Sequence, residues 1–417
     1  MTDPTVNNNP PSADPAPPPV PAPTPTPAPG PLNWRRFVPT NWQSIVATLA
    51  VIAATSLLNR LGFTPTPLPV PDPPFPIYQG TFGWVEPRED DRLAALESPQ
   101  VYRWEDTDAA QADPLGDKDG NAFLWKFSAA VRGAPVPTLN QGSVGSCVGH
   151  GWATGVNYLV VIQAALKTGP PIDATVTIAP EVIYGGSRVN VNGGRAPLFG
   201  DGSNGSWAAK FCTEYGTAAR GKYGPYDITV YSESNCRSLG NNGIQNELLT
   251  ECKKNVVGSA ALVTSAADAK KALMQGYPIP VCSNTGFAGQ SSRDADGFLR
   301  AAGVWPHCMC IIGYRQDKDA FYIMNSWGES WVSGPLGIGD PPAGGFWVKS
   351  TTVDAMLKQG DSYAISTLKG FPRRKLQPDD WLVAAPSPSK VVIAPRRADG
   401  PFAPRLEFGG PLYAMAP

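Results

Sequence analysis

A thiol, an imidazole and two carboxamides stand in this 417-residue chain where acyl-transfer chemistry would want them. Cys147 closes the run Thr138-Leu-Asn-Gln-Gly-Ser-Val-Gly-Ser-Cys147, which also contains Gln141, and His307 precedes Asn325-Ser-Trp-Gly328. A thiol attacks an amide carbonyl as thiolate, so it needs an imidazole partner, an orienter for that imidazole, and a donor for the tetrahedral oxyanion. Cys147, His307, Asn325 and Gln141 supply one of each. The second histidine, His150, falls three residues past Cys147 on the same expected helix. Its side chain points back toward the helix N-terminus one turn on, which makes it the weaker partner for the thiol.

These groups need elements to hold them. After Cys147, apolar residues recur at Val148, Trp152, Val156, Leu159, Val160 and Ile162, close to the period of one helix face. A helix starting at the cysteine puts the thiol at the positive end of its dipole, and an imidazolium nearby lowers the thiol pKa further; a standing thiolate near neutral pH is the expectation. Farther on, turn signals alternate with short apolar runs at Tyr277 to Cys282, Cys308 to Tyr314, Phe321 to Met324, Gly345 to Val348 and Tyr363 to Leu368, which read as antiparallel strands. Cys308 and Cys310 flank Met309 on one strand face and read as small buried thiols.

Gln141-Gly-Ser-Val-Gly-Ser-Cys147 resembles the active-site entry of papain-like cysteine peptidases. His307-Cys-Met-Cys-Ile-Ile-Gly-Tyr314 is similar to the family's histidine strand, and Phe321-Tyr-Ile-Met-Asn-Ser-Trp-Gly328 to its asparagine strand. The order is the family's, with His307 and Asn325 trailing Cys147 by roughly 130 to 150 residues or somewhat more. The resemblance implies an α+β, papain-like two-lobed fold: a helical N-terminal lobe, an antiparallel β-barrel-like C-terminal lobe, and the active site in the cleft between them. It further implies that Cys147 is the nucleophile, His307 the acid and base, Asn325 its orienter, Gln141 the oxyanion donor, and Trp327 a shield for the His307–Asn325 bond. Asp201-Gly-Ser-Asn-Gly-Ser-Trp207 echoes the family's substrate-wall loop, which nominates Asn204 and Gly205 for substrate binding. Departures mark a remote member: Val144 replaces the family's cysteine, Val148 the aromatic after the nucleophile, Pro306 precedes the histidine, and Gly328 to Gly345 is longer than usual. The helical signature of the family's inhibitory prosegment is not evident between Thr64 and Ala134.

Proline is concentrated at the chain ends, among 46 in all, and divides the chain. Residues 1–40 read as a Pro-rich disordered arm, 41–63 as an apolar anchor or signal-like helix, 64–133 as a Pro-rich linker and prosegment or extension, 134–368 as the peptidase-like domain, and 369–417 as a basic, Pro-rich solvated tail. Residues 42–58 carry no charge and follow Arg35 and Arg36. The stretch lies between the about 20 residues of a membrane span and the about 7 to 15 of a secretory core, and a buried helix is the third reading. Membrane association through it, with a cytoplasmic N-terminus, or export, is the expectation.

Lys and Arg total 34 against 35 Asp and Glu, a balance that leaves no footprint for nucleic acid. The seven cysteines form no CxxC pair, which argues against a zinc site, and neither metal nor cofactor is expected. In an exported protein, some of Cys212, Cys236 and Cys252 would be candidates for pairing. The expected activity is hydrolysis of a protein or peptide substrate through an acyl-enzyme. The alternatives are a noncatalytic binding protein on the same fold and a cell-wall amidase or transamidase using the same Cys–His chemistry.

Overall fold

The computed structural model describes residues 81–112, 120–167, 173–194, 196, 200–255, 257–287, 292–374 and 376. By internal contacts the chain divides into Met1–Pro73 and Pro74–Pro417, and every described residue belongs to the second unit. The proline-rich arm, the apolar stretch 42–58 and nearly all of the basic tail lie outside the described residues.

Nine helices and ten strands follow one another among the described residues. The helices are α1 (Glu89–Leu96), α2 (Trp125–Arg132), α3 (Cys147–Leu166), α4 (Pro180–Arg188), α5 (Gly205–Glu214), α6 (Glu233–Asn242), α7 (Asn246–Cys252), α8 (Ala266–Met274) and α9 (Ser350–Leu357). The strands are β1 (Val101–Arg103), β2 (Ala122–Phe123), β3 (Lys222–Tyr223), β4 (Tyr226–Asp227), β5 (Ser259–Leu262), β6 (Ile279–Thr285), β7 (Val304–Arg315), β8 (Ala320–Met324), β9 (Gly345–Lys349) and β10 (Tyr363–Ser366). The α+β class is as expected. Helices dominate up to residue 252, and an antiparallel sheet dominates after it.

That sheet runs β2–β7–β8–β9, with β6 also pairing β7 antiparallel. Every residue of β8 is buried, as is β7 from His307 onward, so the expected runs at Cys308 to Tyr314 and Phe321 to Met324 are strands covered on both faces. A smaller sheet places β5 between β10, antiparallel, and β1, parallel.

Two apolar clusters lie on either side of α3. Tyr158, Val161 and Ile162 face the β6–β9 sheet, while Val148, Trp152, Val156 and Leu159 face α4 and α5. Residues 147–163 of this helix are all buried, so it is a central helix and not a half-exposed one. Gly151 lets it lie directly on β7: a Cβ there would stand 2.9 Å from the Met309 carbonyl oxygen and 3.0 Å from Cys308 Sγ.

Residues 81–112 and 120–133 pack into this unit. β1 and β2 join the two sheets, and Trp104, Ala122, Leu124 and Phe127 are fully buried. The start of the expected tail packs as well. Phe371 lies edge-on to Trp104 at 5.6 Å and to Tyr277 at 5.0 Å, and the Arg374 guanidinium stands 4.8 Å over the Tyr277 ring.

Candidate active site

The pairing of β7 with β8 sets the first contact. Cys310 is opposite Met324, so Asn325 leaves the strand end level with Met309, on the face that Met309 shares with His307. His307 Nε2 donates to Asn325 Oδ1 at 2.8 Å, and the Ser326 backbone N–H donates to the same oxygen at 2.7 Å. With its proton on Nε2, the ring presents Nδ1 as a lone pair, and Nδ1 has no hydrogen-bond partner among the described residues. Trp327 lies against the ring at 4.9 Å and is 3% exposed, so it excludes water from one side of the His307–Asn325 bond.

Cys147 is the first residue of α3, and its Sγ accepts from the Cys308 backbone N–H at 3.4 Å, next to His307 in sequence. Gln141 is tied to the asparagine loop from the other side. Its backbone N–H donates to the Ser326 carbonyl at 2.9 Å, and its Oε1 accepts from Ser326 Oγ at 2.7 Å. The structure therefore draws Cys147, His307, Asn325, Gln141 and Trp327 into one linked set. The turn between Gln141 and Cys147 is braced by charge: Gly145 N–H donates to Asp201 at 3.0 Å, Arg237 bridges to Asp201 at 2.7 Å and to the Ser143 carbonyl at 2.7 Å, and Ser143 bonds Glu233.

An extended piece of the chain, Thr81–Val85, covers this set. The Thr81 carbonyl accepts from Gln141 Nε2 at 2.7 Å. Phe82 stacks edge-on to His307 at 6.0 Å and also contacts Trp305 and Trp327. Gly83 and Trp84 N–H both donate to the Pro306 carbonyl, at 3.2 and 3.0 Å. On the far side Ser203 N–H donates to the Gly83 carbonyl and Val85 N–H to the Ser203 carbonyl, each at 2.9 Å, in parallel bridging. Gly83 is required by proximity: a Cβ there would overlap the Gly145 carbonyl.

Burial works against the expected standing thiolate. Cys147 has no exposed surface, and burial pushes its thiol far above the ordinary range; neighbouring Cys308 adds to the rise, against hydrogen bonds from Cys308, Gly83 and Val148 N–H. Burial likewise lowers His307 to about 4, against the Asn325 hydrogen bond that favours the charged form. Lost hydration disfavours the charged form of thiol and imidazole alike, and for the thiol it outweighs the position at the start of the helix.

The other nominated residues fall as follows. Asn204 caps α5, its Oδ1 accepting from Trp207 N–H at 2.8 Å, and Gly205 N–H donates to Asp361 at 2.6 Å. The residue of that loop that meets an extended chain is Ser203, one position earlier. His150 Nδ1 lies 3.0 Å from the Ser146 carbonyl, with its ring edge-on to Tyr231 at 5.1 Å, a structural placement. All seven cysteines are free thiols, including Cys212, Cys236 and Cys252. Sequence reading missed Thr81–Val85, Ser203, Ser326 and Asp361; Ser326, inside the Asn-Ser-Trp-Gly run, and Ser203, inside the Asp201 to Trp207 run, carried a signal.

No protein-family model matches the chain, and no curated protein matches it. Among solved structures it is similar to xylellain, a cysteine protease from Xylella fastidiosa, at 16% identity, over 69% of this chain and 97% of that one, with a TM-score of 0.44. A ragweed pollen cysteine protease in its proform is 15% identical over 69% of this chain and 75% of that one, TM-score 0.39. The bromelain protease of Ananas comosus is 16% identical over 59% and 98%, TM-score 0.36. The likeness to papain-like cysteine peptidases is thus a remote one. Among the described residues no group of His, Cys, Asp and Glu is placed to hold a metal ion, and no helix is long and apolar enough to cross a membrane.

Proposed function

We propose that the chain is a papain-like cysteine peptidase, held latent by its own residues 81–85. The observation that carries the reading is the His307 Nε2–Asn325 Oδ1 bond, which leaves Nδ1 as a free base beside the strand residue whose N–H meets Cys147 Sγ. These contacts support an oriented base on the strand that meets the thiol; beneath the strap Nδ1 makes no hydrogen bond to Cys147 Sγ, and the proposed reaction brings the two within reach when the strap leaves.

In the proposed reaction a peptide lies where the strap lies, in the cleft between the helical and sheet parts. His307 takes the Cys147 proton, and the thiolate adds to the carbonyl carbon. The oxyanion is held by the Gln141 amide and the Cys147 backbone N–H. His307 then returns the proton to the departing amine, leaving a thioester, and next activates a water that releases the acid and restores the thiol. Gln141 already holds a carbonyl oxygen, that of Thr81.

A noncatalytic binding protein on this fold has no need of the Nε2-protonated tautomer that Asn325 enforces, and an amidase or transamidase would share every step up to the thioester. Protein and peptide substrates are proposed because an extended peptide, the strap, already fits. Membrane attachment through residues 42–58 is a separate proposal, supported by hydropathy alone.

The test is hydrolysis of an unfolded protein and of cell-wall fragments by the full chain bearing Gly83→Ala, against Gly83→Ala with Cys147→Ala. Cleavage of the protein by the first only is expected. Equal activity of both, or action on cell-wall fragments alone, overturns the peptidase reading.

A further inference from the structure

The strap also reports which side chain the site accepts. Gly83 is the strap residue that lies against the turn leading into Cys147, where a Cβ on it would overlap the Gly145 carbonyl, and Trp84 is its neighbour. The Trp84 side chain is 4% exposed, in the same apolar cluster as Cys147, Trp152 and Tyr363. At the base of that pocket, Trp84 Nε1 donates to Asp361 Oδ2 at 2.7 Å.

Asp361 is fully buried. Its carboxylate also accepts from Gly205 N–H at 2.6 Å, Ser206 N–H at 2.7 Å and Ser206 Oγ at 2.7 Å, so the first turn of α5 holds the charge in place. Three of its four donors belong to the pocket wall. The fourth, from Trp84, leaves whenever the strap leaves. A substrate that takes the strap's place must then supply a donor to Oδ2 or leave a buried carboxylate oxygen one bond short.

We propose that Asp361 is the specificity-determining residue of this site, and that the pocket takes a peptide side chain ending in an N–H donor, indole or guanidinium, in the position of Trp84. The inference rests on the peptidase reading above. A site built to receive a hydrogen bond rejects an analogue that lacks the donor far more strongly than a purely apolar pocket rejects one methylene. Phenylalanine and leucine fill the volume without the donor, and an acidic side chain is repelled.

The experiment uses the full chain with Gly83→Ala, whose added methyl group cannot coexist with the Gly145 carbonyl and so unseats the strap. Peptides carrying Trp, Arg, Phe or Leu at positions within two residues of the cleaved bond are compared by kcat/KM. Trp and Arg are expected to exceed Phe and Leu by roughly tenfold or more at one position. Asp361→Asn, which keeps an acceptor but removes the charge, should narrow that gap, with Arg losing more than Trp. Equal kcat/KM across the four overturns the assignment, and this comparison needs no change at Asp361. Calorimetry of the same peptides on Gly83→Ala with Cys147→Ala reads the pocket without turnover. Donor-ranked binding with no hydrolysis sinks the peptidase reading and leaves the pocket; hydrolysis with flat binding does the reverse.

Discussion

The side-chain amide of Gln141 donates a 2.7 Å hydrogen bond to the backbone carbonyl of Thr81, and its other N–H reaches the Val144 carbonyl at 3.0 Å. The group proposed to hold a substrate's oxyanion therefore holds a carbonyl of its own chain. Gln141→Ala removes both functions at once. In the strap-released background we expect it to lower kcat by roughly 10²- to 10³-fold. In the otherwise native chain it should speed alkylation of Cys147, since the strap loses an anchor. Opposite movement of turnover and labelling separates this account from simple misfolding, which would lower both.

Asn325 contributes through His307. Removing its Oδ1 leaves the ring free to turn and to shift its proton, so Asn325→Ala should reduce kcat by roughly tenfold with little change in KM. Removing His307 itself should cost about 10²- to 10⁴-fold. A His307→Ala chain as active as its parent would show that another base serves the thiol.

The two histidines make the fold acid-sensitive. Burial lowers His307 to about 4 and His150 to about 3, both below the ordinary histidine value, so the unfolded chain binds more protons as pH falls beneath about 6.5. Their contribution to stability is complete above that pH and is lost on acidification, at about 1.4 kcal/mol per pH unit for each. Asp361 acts in the other sense: burial raises it to about 6, and the stability lost as it ionises returns on acidification toward about 4. Glu181, also raised by burial, acts in the same sense as Asp361, so the histidine contribution is read by comparison: between about pH 6.5 and about 4.5 the thermal midpoint of His150→Gln should fall less steeply, or rise more steeply, than that of the native chain. Equal slopes in the two chains contradict the assignment.

Trp104 tests whether residues before 134 belong to the core. It is fully buried against Tyr277 and Phe371, so Trp104→Ala should destabilise the unit by about 3 to 5 kcal/mol in denaturant unfolding. A surface linker would lose a few tenths at most.

The reactive set was legible because its chemistry demands particular side chains in a particular order, and the elements around it were legible because their apolar residues keep a period. Cys147 begins α3, and the runs at His307 and Asn325 form β7 and β8, as the pattern required. The strap left no such trace. Gly83, Pro306 and Ser203 hold it through backbone N–H and C=O groups, which every sequence offers. Asp361 follows Gly360 in what reads as a polar turn, and its burial depends on Gly205 and Ser206, far away in sequence. β1 is three residues long and pairs with β5 in parallel, too short for any period to appear. The rise in the thiol pKa was hidden for the same reason: it follows from burial, which no local pattern records.

The most direct test is the rate at which an epoxysuccinyl probe labels Cys147, read by mass spectrometry of the cysteine peptide, in the native chain, in Gly83→Ala, and in Gly83→Ala with His307→Ala. Slow labelling, fast labelling and slow labelling again, in that order, is the result expected of a His307-activated thiol sealed by residues 81–85. Equal rates in all three, or labelling that spares Cys147, would contradict it.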